Sequence, residues 1–505
     1  MRSMDNNERK AAFLARNRHA RTSSRAVWRI ALMVSLSLFP RLLVAHELDV
    51  ASLVGEDWYG LYLNGQKAGY SMNAVRIEAD GTVLVVEDAR FQINMVGVRQ
   101  DMQIFSERAY GPDGSLVRID YRVVDPAGTK EFHAKIEGAE MLLTSIVGGS
   151  PSEQRLPKPN ESLDDVLKQA RLVGPDAKVG DSITFSVFDP MYQKEIGGKS
   201  EIVGVENRMF DGAPTMVFKV KSHLDLMGID SMAFVAQDGT VLEDEVASII
   251  TMRIEPEIMA KDVNYNNDVI VSNAAMVDAP IANARSLDTL KLWLDGPLAA
   301  VHLFNDERQT MAAQGSRVLF TGKKIVLDKF ESARLPIENE AVEQWLKPTL
   351  FVQSDDPKLI EKAKEIAGDE KDAVKVSNLL CTWVNRNVRT SFSAQLTNAL
   401  EVLERLEGDC TEYSILFIGL ARAAGLPARE VAGLIYMEGT QPGFYFHQWA
   451  KVWVGKWIDV DPTFNQPIAD VTHIKLAEGD LFEQARLIPI IGRIQIHVAT
   501  DGDGS

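Results

Sequence analysis

The chain has 505 residues, 46% of them apolar and 25% charged, and a formal net charge of −17. That length exceeds what one hydrophobic core serves, so two or three domains are expected. The acidic balance would repel phosphate backbones and excludes an electrostatically driven nucleic-acid binder.

Residues 1–45 depart from the rest. Nine Lys and Arg stand there against two acids, and the basic stretch runs into an apolar segment of ten residues, Ile30 to Phe39. Leu42-Leu-Val-Ala45 follows as a small-residue end. Basic, apolar, small is the layout of a secretory signal, with an uncleaved anchor as the competing reading. Ten residues are too few to span a bilayer. The expectation is an exported, periplasmic or secreted protein, touching membrane through that segment if at all.

From 46 to 262 the pattern is antiparallel β. Asp80-Gly81, Asp113-Gly114, Asp211-Gly212 and Asp238-Gly239 are tight-turn signals between strand-like runs. Asn64-Gly65 centres a hairpin over Trp58–Tyr70. Two β-rich halves, roughly 55–150 and 178–255, could form one curved sheet or two. Between them a helix starting at Ser162 is expected from its cap residue. Residues 263–345 read as a linker with a small β-leaning segment. The block 346–490 is helical first and β afterwards, and 491–505 reads as a tail.

The chemistry concentrates in that last block. In Glu407-Gly-Asp-Cys-Thr-Glu-Tyr413, Asp409 fits a helix N-cap and Glu412 completes a capping box. Cys410 therefore falls in the first turn, where free N–H groups and the helix dipole favour a thiolate and could face an oxyanion. Downstream, Phe444–Val454 and Trp457–Thr463 read as a hairpin turning at Gly455-Lys456. A turn over 454–456 sets Trp449 opposite Asp461, and His447 opposite Thr463. His447 and Asp461 become diagonal neighbours, close enough for a carboxylate to hold one ring nitrogen and leave the other for a thiol. Asp459 falls opposite Lys451 and suits a cross-strand ion pair. Cys381, within a predicted helix, reads as a buried, inert cysteine. Two cysteines and scattered histidines give no metal-ligand spacing, so no cofactor is expected.

Gly408-Asp-Cys-Thr-Glu-Tyr413, Ala421-Arg-Ala-Ala-Gly-Leu-Pro-Ala-Arg429, His447-Gln-Trp449 and Trp457-Ile-Asp-Val-Asp-Pro-Thr463 together resemble the core signature of the transglutaminase-like superfamily, bacterial branch. The resemblance covers about 350–470. It implies a papain-like α+β C-terminal domain behind the antiparallel β-rich region, and a triad of Cys410, His447 and Asp461. Trp58–Tyr70 and the β-rich half resemble, more weakly, the N-terminal regions of exported bacterial members. Thr411 stands where animal transglutaminases carry an aromatic residue, and their tryptophan oxyanion donor has no evident counterpart. Gln395, Ser391 and Ser393 are the candidates for that donor, with Trp449 supporting the site. The resemblance implies an acyl-thioester enzyme acting on peptide or carboxamide bonds of a peptide or protein, with an envelope component as one such substrate, and hydrolysis favoured over cross-linking. The competing reading is a catalytically silent scaffold whose β-rich region is an envelope-binding or carrier module.

Overall fold

The computed structural model describes residues 50–499 apart from short stretches, the longest being 266–272 and 392–396. The expected export segment, the Asp501–Ser505 tail, Ser393, Gln395 and Asp211 lie outside the described residues. The chain falls into two compact units that divide at about residue 267.

Among the described residues of the first unit, fourteen strands form one sheet. Strand Gly55–Leu63 pairs on one side with Gln66–Ile77, from which the strands follow in chain order out to Ser150–Pro157. On its other side it pairs with Ile250–Ile254, from which they run back in order to Ser182–Asp189. The two β-rich halves are thus one sheet, joined where its first strand meets its last. Alternation follows the pleat: Ile119, Tyr121 and Val123 are buried while Arg122, between the last two, is exposed. At the first hairpin Asn64 and Gly65 both have positive φ, 49° and 79°, as a two-residue turn with right-handed strand twist demands. The interrupting helix spans Leu163–Leu172 with Ser162 as its N-cap.

Among its described residues the second unit contains two larger sheets and a two-stranded parallel pair, Arg389–Thr390 with Glu407–Gly408. Gln309–Gln314, Arg317–Lys323, Thr289–Asp295 and Gln495–Val498 make a four-stranded one in that order. The region read as tail therefore supplies a strand, because Gln495–Val498 pairs with Thr289–Asp295. Among the described residues four helices precede the last four strands of the other sheet: α1 (Pro357–Ala367), α2 (Ala373–Asn387), α3 (Ala399–Arg405) and α4 (Cys410–Ala423). Asp356, Asp372, Asn398 and Asp409 cap them with side-chain acceptors, satisfying N–H groups that helix geometry leaves open. Strands β1 (Ala428–Met437), β2 (Gly443–Trp453), β3 (Trp457–Val460) and β4 (His473–Glu478) follow. In the sheet β2 lies between Ala275–Met276 and β1, β1 next to β4, and β3 on β2.

The pattern of α4 suggests one apolar face, Ile415, Leu416 and Leu420. Instead every residue from Cys410 to Arg422 is buried. The helix packs against α1, α2 and α3 and against β1 and β2, and its side chains join those of Leu359, Leu380, Val384 and Val452 in one core. A helix enclosed on all sides is fixed in rotation and depth. Its first turn is therefore a rigid platform.

Candidate active site

The capping box of α4 forms as the spacing requires. Asp409 accepts from the Thr411 N–H at 2.9 Å, and Glu412 Oε2 accepts from the Asp409 N–H at 2.8 Å. Gly408 is there because nothing larger fits: a Cβ would lie 2.2 Å from the Cβ of Glu412. Gly408→Ala should therefore break the box and lower stability by about 1–3 kcal/mol, seen as an earlier thermal melt. A melt like that of the wild type would show that the loop relaxes without loss.

Cys410 opens the helix and is 3% exposed. The backbone N–H of Gln448, the residue after His447, hydrogen-bonds to its sulfur. Ser414, one turn on, donates to the Cys410 carbonyl at 2.7 Å and can also reach the Gln448 carbonyl at 3.1 Å, so α4 and β2 are stitched together around the thiol. Burial pushes the Cys410 thiol well above its ordinary range, with Asp409 adding to the shift, and the Gln448 N–H offsets only part of it. The expectation of a sulfur held ionised by the helix tip is not met. In a dry site desolvation outweighs the dipole of one helix, and the resting group is a thiol.

The hairpin has the expected register. Trp453 faces Trp457 and Lys451 faces Asp459. His447 and Asp461 meet across it, with Nε2 and Oδ2 2.9 Å apart. An ionised carboxylate only accepts, so Nε2 carries the proton and donates. His447 Nδ1, buried, has no hydrogen-bond partner among the described residues. Asp461 Oδ1 accepts from the N–H groups of Thr463 at 2.8 Å and Phe464 at 3.3 Å. Burial alone would raise the Asp461 carboxyl, yet its contacts with His447 and His473 outweigh that and hold it well below the usual range. Burial lowers His447 from its ordinary value despite Asp461. At neutral pH the constellation is therefore a thiol, a neutral imidazole and a carboxylate.

Trp449 is fully buried and stacks on His447, rings 6.0 Å apart at 20°, which holds the imidazole plane. Ser391 follows a short strand, Arg389–Thr390, parallel to Glu407–Gly408, and its N–H donates to the Gly408 carbonyl at 2.9 Å. Its backbone thus lies beside the segment that leads into Cys410. Asp459 takes a different ion partner from the one expected. Arg308 donates to it at 2.7 Å, while Lys451 turns to Glu478 at 2.6 Å and Asp306 at 3.4 Å. The cause is a buried cation from a distant segment, which the hairpin alone does not reveal.

Cys381 and Cys410 are both free and buried. The Cys381 thiol points at the Asp461 carbonyl, 3.8 Å away, and burial pushes it far up as well. From the same helix, α2, Asn385 donates to the carbonyls of Pro462 and Thr463 at 3.0 Å each. The Asp461–Thr463 turn is thus held from below.

The sequence reading missed His473. Its Nε2 lies 3.1 Å from Asp461 Oδ2, and its Nδ1 lies 3.2 Å from the Asp470 carbonyl and 3.3 Å from Asp470 Oδ1. His447, Asp461 and His473 offer three ligand-type atoms within 4.8 Å of one another, a cluster the linear spacing hides. Both Nε2 atoms already share one carboxylate oxygen, so the trio is accounted for as a hydrogen-bonded unit. The short Asp470-Val-Thr-His473 spacing was visible, but it reads as an ordinary turn.

Residues 360–462 match the family model of the transglutaminase-like superfamily. An uncharacterized protein of Haemophilus influenzae is 32% identical over 109 residues, which are 21% of this chain and 29% of that protein's length. In solved structures, a candidate cysteine protease from Cytophaga hutchinsonii is 17% identical, with a TM-score of 0.29 over 43% of this chain and 82% of its own. A β-barrel-like protein of a domain family of unknown function, from Brucella abortus, is 10% identical, with a TM-score of 0.30 over 40% of this chain and 94% of its own.

Proposed function

We propose that this protein, whose residues 360–462 match the family model of the transglutaminase-like superfamily, is a cysteine acyl-transfer enzyme with Cys410 as nucleophile, His447 as general base and Asp461 as the group that orients the base. The observation that supports it most is the buried, unpartnered Nδ1 of His447, on a ring whose other nitrogen is fixed by Asp461. A buried polar atom left without a partner costs free energy, and a bare basic nitrogen on the residue before Gln448, whose N–H bonds the Cys410 sulfur, has a use for that cost.

In the proposed reaction His447 Nδ1 takes the Cys410 proton as the sulfur attacks the carbonyl carbon of an amide. The carbonyl electron pair moves onto oxygen, where the Cys410 N–H at the head of α4 stabilises it, the N–H groups of Thr411, Glu412 and Tyr413 being given to Asp409. As the C–N bond breaks, the leaving amine takes the proton from His447 and an acyl-thioester remains. Water then attacks and gives a proton to His447; the C–S bond breaks, the acid leaves, and the proton passes from His447 to the Cys410 sulfur. An amine in place of water would give transamidation. We favour hydrolysis, since no amine-binding group is evident among the described residues around the site. The substrate class is a peptide or protein, with an envelope component in keeping with the export expected from residues 1–45.

The burial of Cys410 also favours a second reading, a silent scaffold, and alkylation separates the two. With iodoacetamide and peptide mass mapping, a live Cys410 reacts faster than Cys381, which has no base beside it. Because the thiol sits above its ordinary range, the Cys410 rate should keep climbing through alkaline pH, not level off below about 8.5. His447→Ala should remove the advantage over Cys381. Equal, slow labelling of both cysteines in the wild type would favour the scaffold.

A further inference from the structure

His473 is fully buried at the start of β4, and both of its ring nitrogens face oxygen atoms that can only accept. Nε2 faces Asp461 Oδ2, and Nδ1 faces the carbonyl and the carboxylate of Asp470. A neutral imidazole has one donor and one acceptor, and would set a lone pair against one of these oxygens. The geometry therefore calls for a proton on both nitrogens. Asp470 is itself held, by Thr472 N–H at 2.9 Å, Thr472 Oγ1 at 2.5 Å and Gln466 Nε2 at 2.7 Å. Arg285 approaches it at 3.7 Å and lies over the ring of Phe464.

We propose that His473 is a positioning residue that donates to both Asp461 and Asp470, fixing the Asp461 carboxylate so that His447 keeps Nε2–H and presents a bare Nδ1. Asp461 then carries four donors, two imidazoles on Oδ2 and two backbone N–H groups on Oδ1, and has no freedom left to turn. The groups facing His473 are Asp461, Asp470 and His447, with Arg285 behind Asp470 and the edge of Trp449 against the ring. Burial works against a charge on His473, but its hydrogen bonds to the two carboxylates win and raise its pKa. A cation there also offsets the Asp461 charge that would otherwise favour an imidazolium at His447, which keeps the base unprotonated. The catalytic half of this inference rests on the thiol-enzyme reading; the tautomer half does not.

The test combines two readouts on the full-length protein. In ¹⁵N-histidine-labelled protein, nitrogen shifts should report two protonated nitrogens on His473 and an Nε2–H tautomer on His447. Alkylation of Cys410 at neutral pH should fall by about tenfold or more in His473→Leu and recover in His473→Gln, whose amide can still donate to Asp461. The inference is overturned if His473 has one bare nitrogen, or if a folded His473→Leu keeps both the His447 tautomer and the wild-type rate. Should the Leu variant not fold, His473→Gln decides: a retained Nε2–H on His447 supports the inference and a switch to Nδ1–H overturns it. Slow Cys410 labelling in the wild type would sink the thiol-enzyme reading instead, and leave the tautomer result standing.

Discussion

Asp461→Asn is expected to cut amide turnover by about four orders of magnitude while the fold is kept. Asp461 now receives donors on both oxygens: two imidazole N–H groups on one, the N–H groups of Thr463 and Phe464 on the other. An amide must turn its NH₂ towards one of those sets. If it faces the backbone, two donors clash with it. If it faces the imidazoles, His447 can accept only through an unprotonated Nε2, and its proton moves to Nδ1, where the base is needed. Either way the bare Nδ1 is lost or the turn is strained. Before a substrate is found, His447-dependent alkylation of Cys410 serves as the readout, with a melt to check folding. A variant that retains the wild-type rate would remove Asp461 from the mechanism.

The same substitution should show a defined pH dependence in stability. Asp461 has a folded pKa far below its unfolded value of about 3.9, so its contribution is full above that value and is lost as pH falls below it. The raised His473 works in the opposite direction. Its contribution is full below about 6.5 and is lost as pH rises through its folded value. The stability gap between wild type and Asp461→Asn should therefore be widest in mildly acidic solution and narrow on both sides.

The largest stability loss is expected at Arg308. It is buried, donates to Asp459 at 2.7 Å and to Gln309 at 2.9 Å, and holds the carbonyl of His473. Asp459 is buried as well, and despite burial Lys475 and Arg308 keep its carboxyl well below the usual range. Arg308→Met leaves Asp459 with Lys475 at 3.7 Å as its remaining cation contact. Breaking a buried pair in this way costs about 3–5 kcal/mol, measurable by urea or thermal unfolding. Because the His473 carbonyl loses a donor too, the variant should also slow Cys410 alkylation. Arg308→Met, Asp459→Asn together should recover part of the loss, since no unpaired charge then remains. If the single variant unfolds like the wild type, the pair adds nothing to the fold.

Much of the site was legible in the sequence because it is built from short-range geometry. A capping box needs only Asp409 and Glu412 three residues apart, so the position of Cys410 at a helix start follows from local spacing. The hairpin register follows from Gly455-Lys456 and the period of two, and it brings His447 to Asp461. What the sequence could not supply were contributions from far along the chain. Arg308 reaches Asp459 across 151 residues, and the pairing of Gly55–Leu63 with Ile250–Ile254 spans the whole first unit. Neither leaves a periodic trace. The ionisation state of Cys410 was also beyond local reading. The dipole that favours a thiolate is a property of one helix, whereas the burial that opposes it comes from the helices and strands packed around α4.

By itself the sequence determined the order of the elements, the caps and turns that bound them, and which thiol, imidazole and carboxylate share one α-helix and one hairpin. Only the tertiary structure decided that the two β-rich halves are one sheet, that Asp461 serves two histidines, and that Cys410 is buried, which pushes its thiol upward. The division has a physical cause. Backbone preference and hydrogen-bond spacing act over a few residues, while desolvation and ion pairing depend on whatever the fold brings within a few ångströms.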